Sequence, residues 1–153
     1  MKGYLLDTNH VNAWENETPS FVHRLEQIPL DSKIFVCAIT VGELEGGHRI
    51  TKTTNQTRRD EFTAFVVKHL HPNTIPLTLA TRTYYAEILA RIWDKHRPPP
   101  GRRTERHLVE LGVDVNDVWT VAVAWEHNLT LLTSDAMTVI RGVVPEVAYE
   151  NWC

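Results

Sequence analysis

A chain of 153 residues, 42% of them hydrophobic, is long enough for one domain with a sizeable core and too short for two ordinary ones. No apolar run reaches the roughly 20 residues that span a bilayer, and Asp7 interrupts the start where a signal peptide would stay apolar, so a cytoplasmic protein without membrane contact is expected. The net charge of −3 argues against a chain that is basic throughout, and Cys37 and Cys153 have neither disulfide-framework density nor metal-site spacing, so both are expected as free thiols.

The first apolar run, residues 3–7 (GYLLD), predicts a strand that ends at Asp7, with Thr8 or Asn9 capping the helix that follows. A second helix is expected over 19–27, with Thr18 as N-cap and Pro19 at the first helical position. Residues 32–39 (SKIFVCAI) are β-branched and apolar, as a buried parallel strand should be, and lead into a helix near 41–50. The polar stretch 51–57 reads as a loop, and 61–70 as an amphipathic helix with Phe62, Phe65, Val66 and Leu70 on the helical period. A short strand over 74–77 precedes a long helix over 80–95, which Pro98, Pro99, Pro100 and Gly101 stop in a mobile loop. Val118, Val121, Ala122 and Trp125 give 115–126 a helical period, with Asn128 as a left-handed stop. Residues 129–133 (LTLLT) form another buried strand, Ser134 or Asp135 opens a last short helix, and 147–149 is an edge strand. Strands alternating with helices predict an α/β fold, a parallel sheet covered on both faces within one domain over 1–153.

In open parallel sheets the ligand crevice lies at the C-terminal ends of the strands, and acids fall there. Asp7 ends the first strand, Asp135 follows the fourth by two residues, Glu43 lies in the first helical turn after the second, and Asp117 joins them if its helix starts near Asp114. Asp114 is then an N-cap or an outer ligand. Clustered carboxylates repel one another unless a cation neutralises them, and hard oxygen donors select Mg²⁺ or Mn²⁺, ions suited to activating water against a phosphodiester. Each acid alone also has a plainer explanation, as a turn or cap residue (Asp7, Asp135) or as a complement to a helix dipole (Glu43, Asp117).

Charge is unevenly spread. Residues 49–59 hold Arg49, Lys52, Arg58 and Arg59 without an acid, and residues 91–107 hold six Lys or Arg against Asp94 and Glu105. Each segment is net +4, which leaves −11 on the rest of a chain whose total is −3. Both segments are candidate phosphate contacts, through Arg49, Lys52, Arg97, Arg102, Arg103 and Arg106, or else solvated helix faces. His69 and His71 read as a helix end more than a ligand pair, and the other six histidines are scattered. The five tryptophans read as core or interface packing. Hydrolase-elbow, P-loop and dinucleotide motifs are absent. A haloacid-dehalogenase-like site would need an acid where Asn9 stands, and a receiver domain a Lys after Lys95.

The same residues resemble the PIN-domain pattern and, more narrowly, VapC toxins. The opening YLLDTN is similar to that family's start. Residues 39–47 (ITVGELEGG) resemble its second motif, with Glu43, Leu44 and Gly47; residues 112–124 (GVDVNDVWTVAVA) its third, with Asp117; and residues 129–135 (LTLLTSD) its fourth, with Thr133 and Asp135. The close, residues 144–152 (VPEVAYENW), is similar to the family's ending, so the resemblance covers nearly the whole chain in order. It implies a three-layer α/β/α sandwich with a five-stranded parallel sheet. The activity implied is Mg²⁺-dependent endoribonuclease action on structured RNA such as tRNA, with Mn²⁺ as a substitute. The implied partners are a VapB-like antitoxin, whose C-terminal segment lies across the active-site groove, and a second copy, giving a homodimer within a toxin–antitoxin hetero-oligomer. By residue, it implies Asp7 and Asp117 as main metal ligands, Glu43 as a ligand or water-orienting base, and Asp135 as a second ligand, directly or through water. Thr8, Asn9, Thr133, Ser134 and Asp114 are expected behind them. The sequence departs from the family at 119–123 (WTVAV), where many members have smaller residues, and at the longer loop 97–103 (RPPPGRR). The competing expectation is a PIN-like module that binds RNA or protein without cutting it.

Overall fold

The computed structural model describes residues 2–50 and 55–153. In chain order the elements are β1 (Gly3–Leu6), α1 (Thr8–Glu15), α2 (Pro19–Gln27), β2 (Lys33–Cys37), α3 (Ala38–Ile50), α4 (Gln56–Phe65) with a π-helical turn (Val66–Leu70) and a 3₁₀ turn (His71–Asn73), and β3 (Thr74–Ile75). There follow α5 (Leu79–Lys95), α6 (Thr104–Glu110), α7 (Val115–Glu126), β4 (Thr130–Leu132), α8 (Thr138–Arg141) and β5 (Tyr149–Glu150). The expected α/β/α sandwich is what forms: the five strands make one sheet in the order β3-β2-β1-β4-β5, with every pairing parallel. Among the described residues no helix is long and apolar enough to cross a membrane.

The period-2 alternation of strand side chains divides the core into two. Tyr4 and Leu6 of β1, Val36 of β2 and Leu132 of β4 face α1 to α4, where Val11, Phe21, Leu44, Phe62 and Leu70 cover them. Leu5, Cys37 and Leu131 point the other way, into Ile88 and Ile92 of α5 and Val118, Val121 and Ala122 of α7. The register pairs Leu5 with Leu131 and Leu6 with Leu132, and all four are fully buried. At about 1.5–3 kcal/mol for each such side chain, this central pair of strands is the strongest apolar anchor of the sheet.

The chain runs outward from β1 to β2 and β3 on one side, then crosses to β4 and β5 on the other. The order therefore reverses between β1 and β4, and the crevice beyond their C-terminal ends is where such sheets bind ligands. Asp7 and Thr133 leave the sheet side by side there, tied by Asp7 N–H donating to Leu132 O at 3.0 Å.

Several boundaries differ from expectation, including β3, which spans only Thr74–Ile75 of the expected 74–77, and β5, which is Tyr149–Glu150 and not 147–149. Asp7 itself caps α1, its Oδ1 accepting from His10 N–H at 2.9 Å, so the helix starts at Thr8 and neither Thr8 nor Asn9 is the cap. α3 begins at Ala38, directly after β2, which moves Glu43 from the first helical turn to the second; the β-branched Ile39 reads as strand in isolation but is helical in tertiary context. α6 falls in a stretch expected to be loop. It is closed by a Schellman motif in which Val113 N–H donates to Leu108 O and Gly112, at φ +70°, N–H donates to Val109 O. The last helix starts at Thr138, because Met137 sits at φ 42° and breaks the run, so Asp135 caps nothing and lies in the turn after β4. Asn128, at φ 52°, stops α7 as expected. Of the polar stretch 51–57, residues 51–54 lie outside the described residues and α4 takes the rest from Gln56, with Asn55 as its N-cap. Both cysteines are free, Cys37 buried and Cys153 exposed.

Candidate active site

A cleft of about 330 Å³ at this crevice is lined by Asp7, Glu43, Asp117 and Asp135, with Asp114, Thr8, Asn9, Thr40 and Thr120. Four elements deliver the acids. Asp7 stands at the β1–α1 junction, Glu43 on the second turn of α3, Asp117 in the first turn of α7, and Asp135 in the turn after β4. Asp114 is the N-cap of α7, its Oδ1 accepting from Asn116 N–H at 2.8 Å, which fixes the helix start and so aims Asp117 at the cleft.

The surrounding polar groups hold the acids in place. Glu43 is clamped from two sides: Thr8 Oγ1 donates to its Oε2 at 2.9 Å and Asn116 Nδ2 to its Oε1 at 2.7 Å. Asn9 Nδ2 donates to Ser134 Oγ at 3.0 Å, linking α1 to the turn after β4. Thr133 Oγ1 accepts from Asp135 N–H at 3.0 Å, and Arg141 donates to Asp135 O, so that turn is braced from both ends. On the floor, Thr120 Oγ1 donates to Asn116 O, and the buried Thr40 and Thr120 hydroxyls both lie against Cys37 Sγ.

Electrostatics single out Asp117. Its carboxyl is pushed up from 3.8 to about 6, first by burial and then by the negative charges of Asp114, Asp135, Glu43 and Asp7. All the other acids of the cleft thus bear on one carboxylate.

Among the described residues, no group of three or more His, Cys, Asp and Glu side chains is gathered tightly enough to hold a metal ion unaided. A Mg²⁺ ion commonly takes one or two carboxylates and fills its remaining positions with water or phosphate oxygens. Asp7 Oδ2 is buried and has no hydrogen-bond partner among the described residues, an orphaned anionic oxygen on a residue that lines the cleft. Such an atom is costly unless a cation or donor meets it. Asp7 and Asp117 therefore fit a divalent ion, whereas both oxygens of Glu43 already accept hydrogen bonds.

The expected phosphate contacts fall elsewhere. Arg49 lines a separate cleft between α3 and α4 with Arg59, His48 and Phe62. Lys52 lies outside the described residues. Arg97 and Arg102 line a surface hollow beside the Pro98–Pro100 loop, Arg103 is the N-cap of α6, and Arg102 and Arg106 both reach Glu110, at 3.4 and 3.1 Å. None of these arginines lines the acidic cleft.

Sequence reasoning missed Asn116, Thr40, Thr120 and His10. Asn116 had a signal, its place between the cap Asp114 and the ligand candidate Asp117. Thr40, Thr120 and His10 had none: a buried polar side chain leaves no mark in the sequence, and Thr120 and His10 also meet partners 83 and 142 positions away, Cys37 and Trp152.

The PIN domain family's sequence profile matches residues 4–139. No curated protein sequence matches the chain significantly. Several solved structures share its fold. The complex VapBC2 from Rickettsia felis, bound to a DNA fragment from its promoter, has a chain with a TM-score of 0.68 at 22% identity, covering 99% of each chain. FitAcB from Neisseria gonorrhoeae gives 0.67 at 22% identity over 97% of this chain and 96% of that one. VapBC-1 from nontypeable Haemophilus influenzae gives 0.69 at 17% identity over 98% of each. With the profile spanning β1 to α8, and the parallel sheet and acid-lined crevice in place, the chain belongs to the PIN domain family.

Proposed function

We propose that this chain is a metal-dependent endoribonuclease that acts as the toxin of a toxin–antitoxin pair. The observation that carries the reading is the convergence of Asp7, Glu43, Asp117 and Asp135 from four separate elements on one cleft, with Asp117 held at about 6 by burial and by its acidic neighbours. Such a concentration of negative charge is unfavourable unless it serves to attract a cation. Mg²⁺, or Mn²⁺ in its place, supplies Lewis-acid polarisation of a phosphodiester and of the water that attacks it.

The chain's own residues do the rest. Asp7 and Asp117 offer carboxylate oxygens to the ion, and Asp135 adds negative charge from the turn after β4. Glu43, fixed by Thr8 and Asn116, is a rigid acceptor suited to orienting the attacking water. Among the described residues that line the cleft there is no Ser or Cys with a paired His, which favours hydrolysis by activated water over a covalent route. The toxin role and an antitoxin partner are supported by the fold neighbours, among them the VapBC2 and VapBC-1 complexes. A homodimer and a tRNA-like substrate are part of the same proposal.

Cleavage of a total tRNA pool by the purified protein tests it. Cutting is expected in Mg²⁺, none with EDTA, and a loss of at least about 100-fold in Asp7→Asn and in Asp117→Asn. RNA that is bound but left intact in both Mg²⁺ and Mn²⁺ would replace the nuclease with a non-catalytic binding module.

A further inference from the structure

His10 is fully buried, and both of its ring nitrogens are used. Nε2 accepts a hydrogen bond from Trp152 N–H at 3.0 Å. A backbone N–H can only donate, so Nε2 carries a lone pair and the ring proton sits on Nδ1. Nδ1 lies 3.0 Å from Asp7 Oδ1 and therefore donates to it. The same oxygen also accepts from His10 backbone N–H at 2.9 Å. Asp7 is thus lopsided: Oδ1 is doubly served, while the buried Oδ2 has no hydrogen-bond partner among the described residues.

An ordinary N-cap needs only the backbone donor. One donor leaves the carboxylate free to turn about its Cβ–Cγ bond; a second on the same oxygen fixes the plane and decides which oxygen is left over. A buried apolar residue would pack against Phe21, whose ring lies 6.3 Å away, without the cost of desolvating an imidazole. The histidine is explained by what it does to Asp7.

We propose that His10 is a positioning residue for Asp7, and that the C-terminal segment sets its tautomer through the Trp152 backbone so that Asp7 presents Oδ2 to a divalent ion. Trp152 is itself anchored: its ring packs on Tyr4 and Phe21 at 4.8 and 5.7 Å, and its Nε1–H donates to Glu150 Oε2 at 2.9 Å. A chain of hydrogen bonds therefore runs from the end of β5 through α1 to the cleft. This inference rests on the metal-site reading of the cleft.

The test is Mn²⁺ binding by titration calorimetry on wild type, His10→Leu and His10→Asn, with melting temperatures recorded without metal. His10→Leu fills the space without a donor, and His10→Asn keeps an N–H near the Nδ1 position. Losing an outer partner of a metal ligand weakens binding roughly 10- to 100-fold, so His10→Leu is expected in that range and His10→Asn within about threefold of wild type. Unchanged affinity in His10→Leu overturns the proposal. Equal losses in both variants that follow equal losses in melting temperature also overturn it, since they assign His10 to packing alone. Wild type that binds no Mn²⁺ removes the metal-site reading first and this inference with it. A ¹⁵N imidazole spectrum of the wild-type protein is independent of how the variants fold: a proton on Nδ1 supports the proposal, and a proton on Nε2 defeats it.

Discussion

At the scale of single residues, Asp117 shows most clearly that the cleft is built against stability. Unfolded, its carboxyl ionises near 3.8; folded, near 6. Between those values the folded chain keeps a proton that the unfolded chain has released. Its contribution to stability is complete below about 3.8 and is lost as pH rises through about 6. Asp117→Asn has no charge to desolvate or repel. Without metal, the variant is expected to be more stable than wild type at pH 7.5 by about 1 kcal/mol, a figure discounted for the side chain's partial exposure, and to gain nothing at pH 3.5. Urea unfolding at the two pH values measures this, and a gain that is the same at both would show that the strain is not electrostatic. Asp7, Asp117 and Asp135 could be picked out in the sequence because each sits beside a strand end or helix start, whereas Glu43 lies one turn deeper in α3 than its spacing suggested. His10 was not, since its partner Trp152 is 142 positions away and a buried histidine shows no pattern along the chain.

At the scale of elements, the strands and long helices could be read because apolar periodicity and stop signals agreed. The Pro19 start and the Asn128 stop hold, and the LTLLT run forms β4 over its middle residues, Thr130–Leu132. The failures are where local signals were short or contradictory. α6 is seven residues long and begins among arginines, so it lacks an apolar period; its one clear mark was Gly112, a C-terminal glycine ahead of Val113. Asp135 looked like a helix opener, but the left-handed Met137 delays α8 and leaves the acid in the turn, where it can face the cleft. Gly112 also sets the approach to α7, and a Cβ there would meet no atom within 4 Å, so any cost of adding one is conformational. Gly112→Ala should therefore lower stability by roughly 1–2 kcal/mol through the left-handed backbone alone. A denaturation midpoint unchanged from wild type would mean that α6 and α7 do not depend on this stop.

At the scale of the whole molecule, the sheet order follows from two local facts, the near-continuous apolar runs of β1 and β4 and the parallel crossovers between strands. The order places the reversal between β1 and β4, and the acids follow from it. Charge is less well resolved by sequence. The basic segments are real, yet Arg102 and Arg106 share Glu110, which leaves the exposed Arg97 and Arg103 as the freer candidates for phosphate contact. An Arg97→Glu, Arg103→Glu double variant should bind RNA more weakly, with a salt dependence shallower by about one unit of slope for each phosphate no longer neutralised. A slope equal to wild type would place the phosphate-binding surface on another face, with the Arg49 and Arg59 cleft next to be tried.

Whether the acids between β1 and β4 hold a divalent ion is read from an anomalous difference map of crystals soaked in Mn²⁺. A peak is expected within coordinating distance of Asp7 Oδ2 and the Asp117 carboxylate. An empty cleft under Mn²⁺ concentrations that support RNA cleavage, or a peak bound elsewhere on the chain, would contradict it.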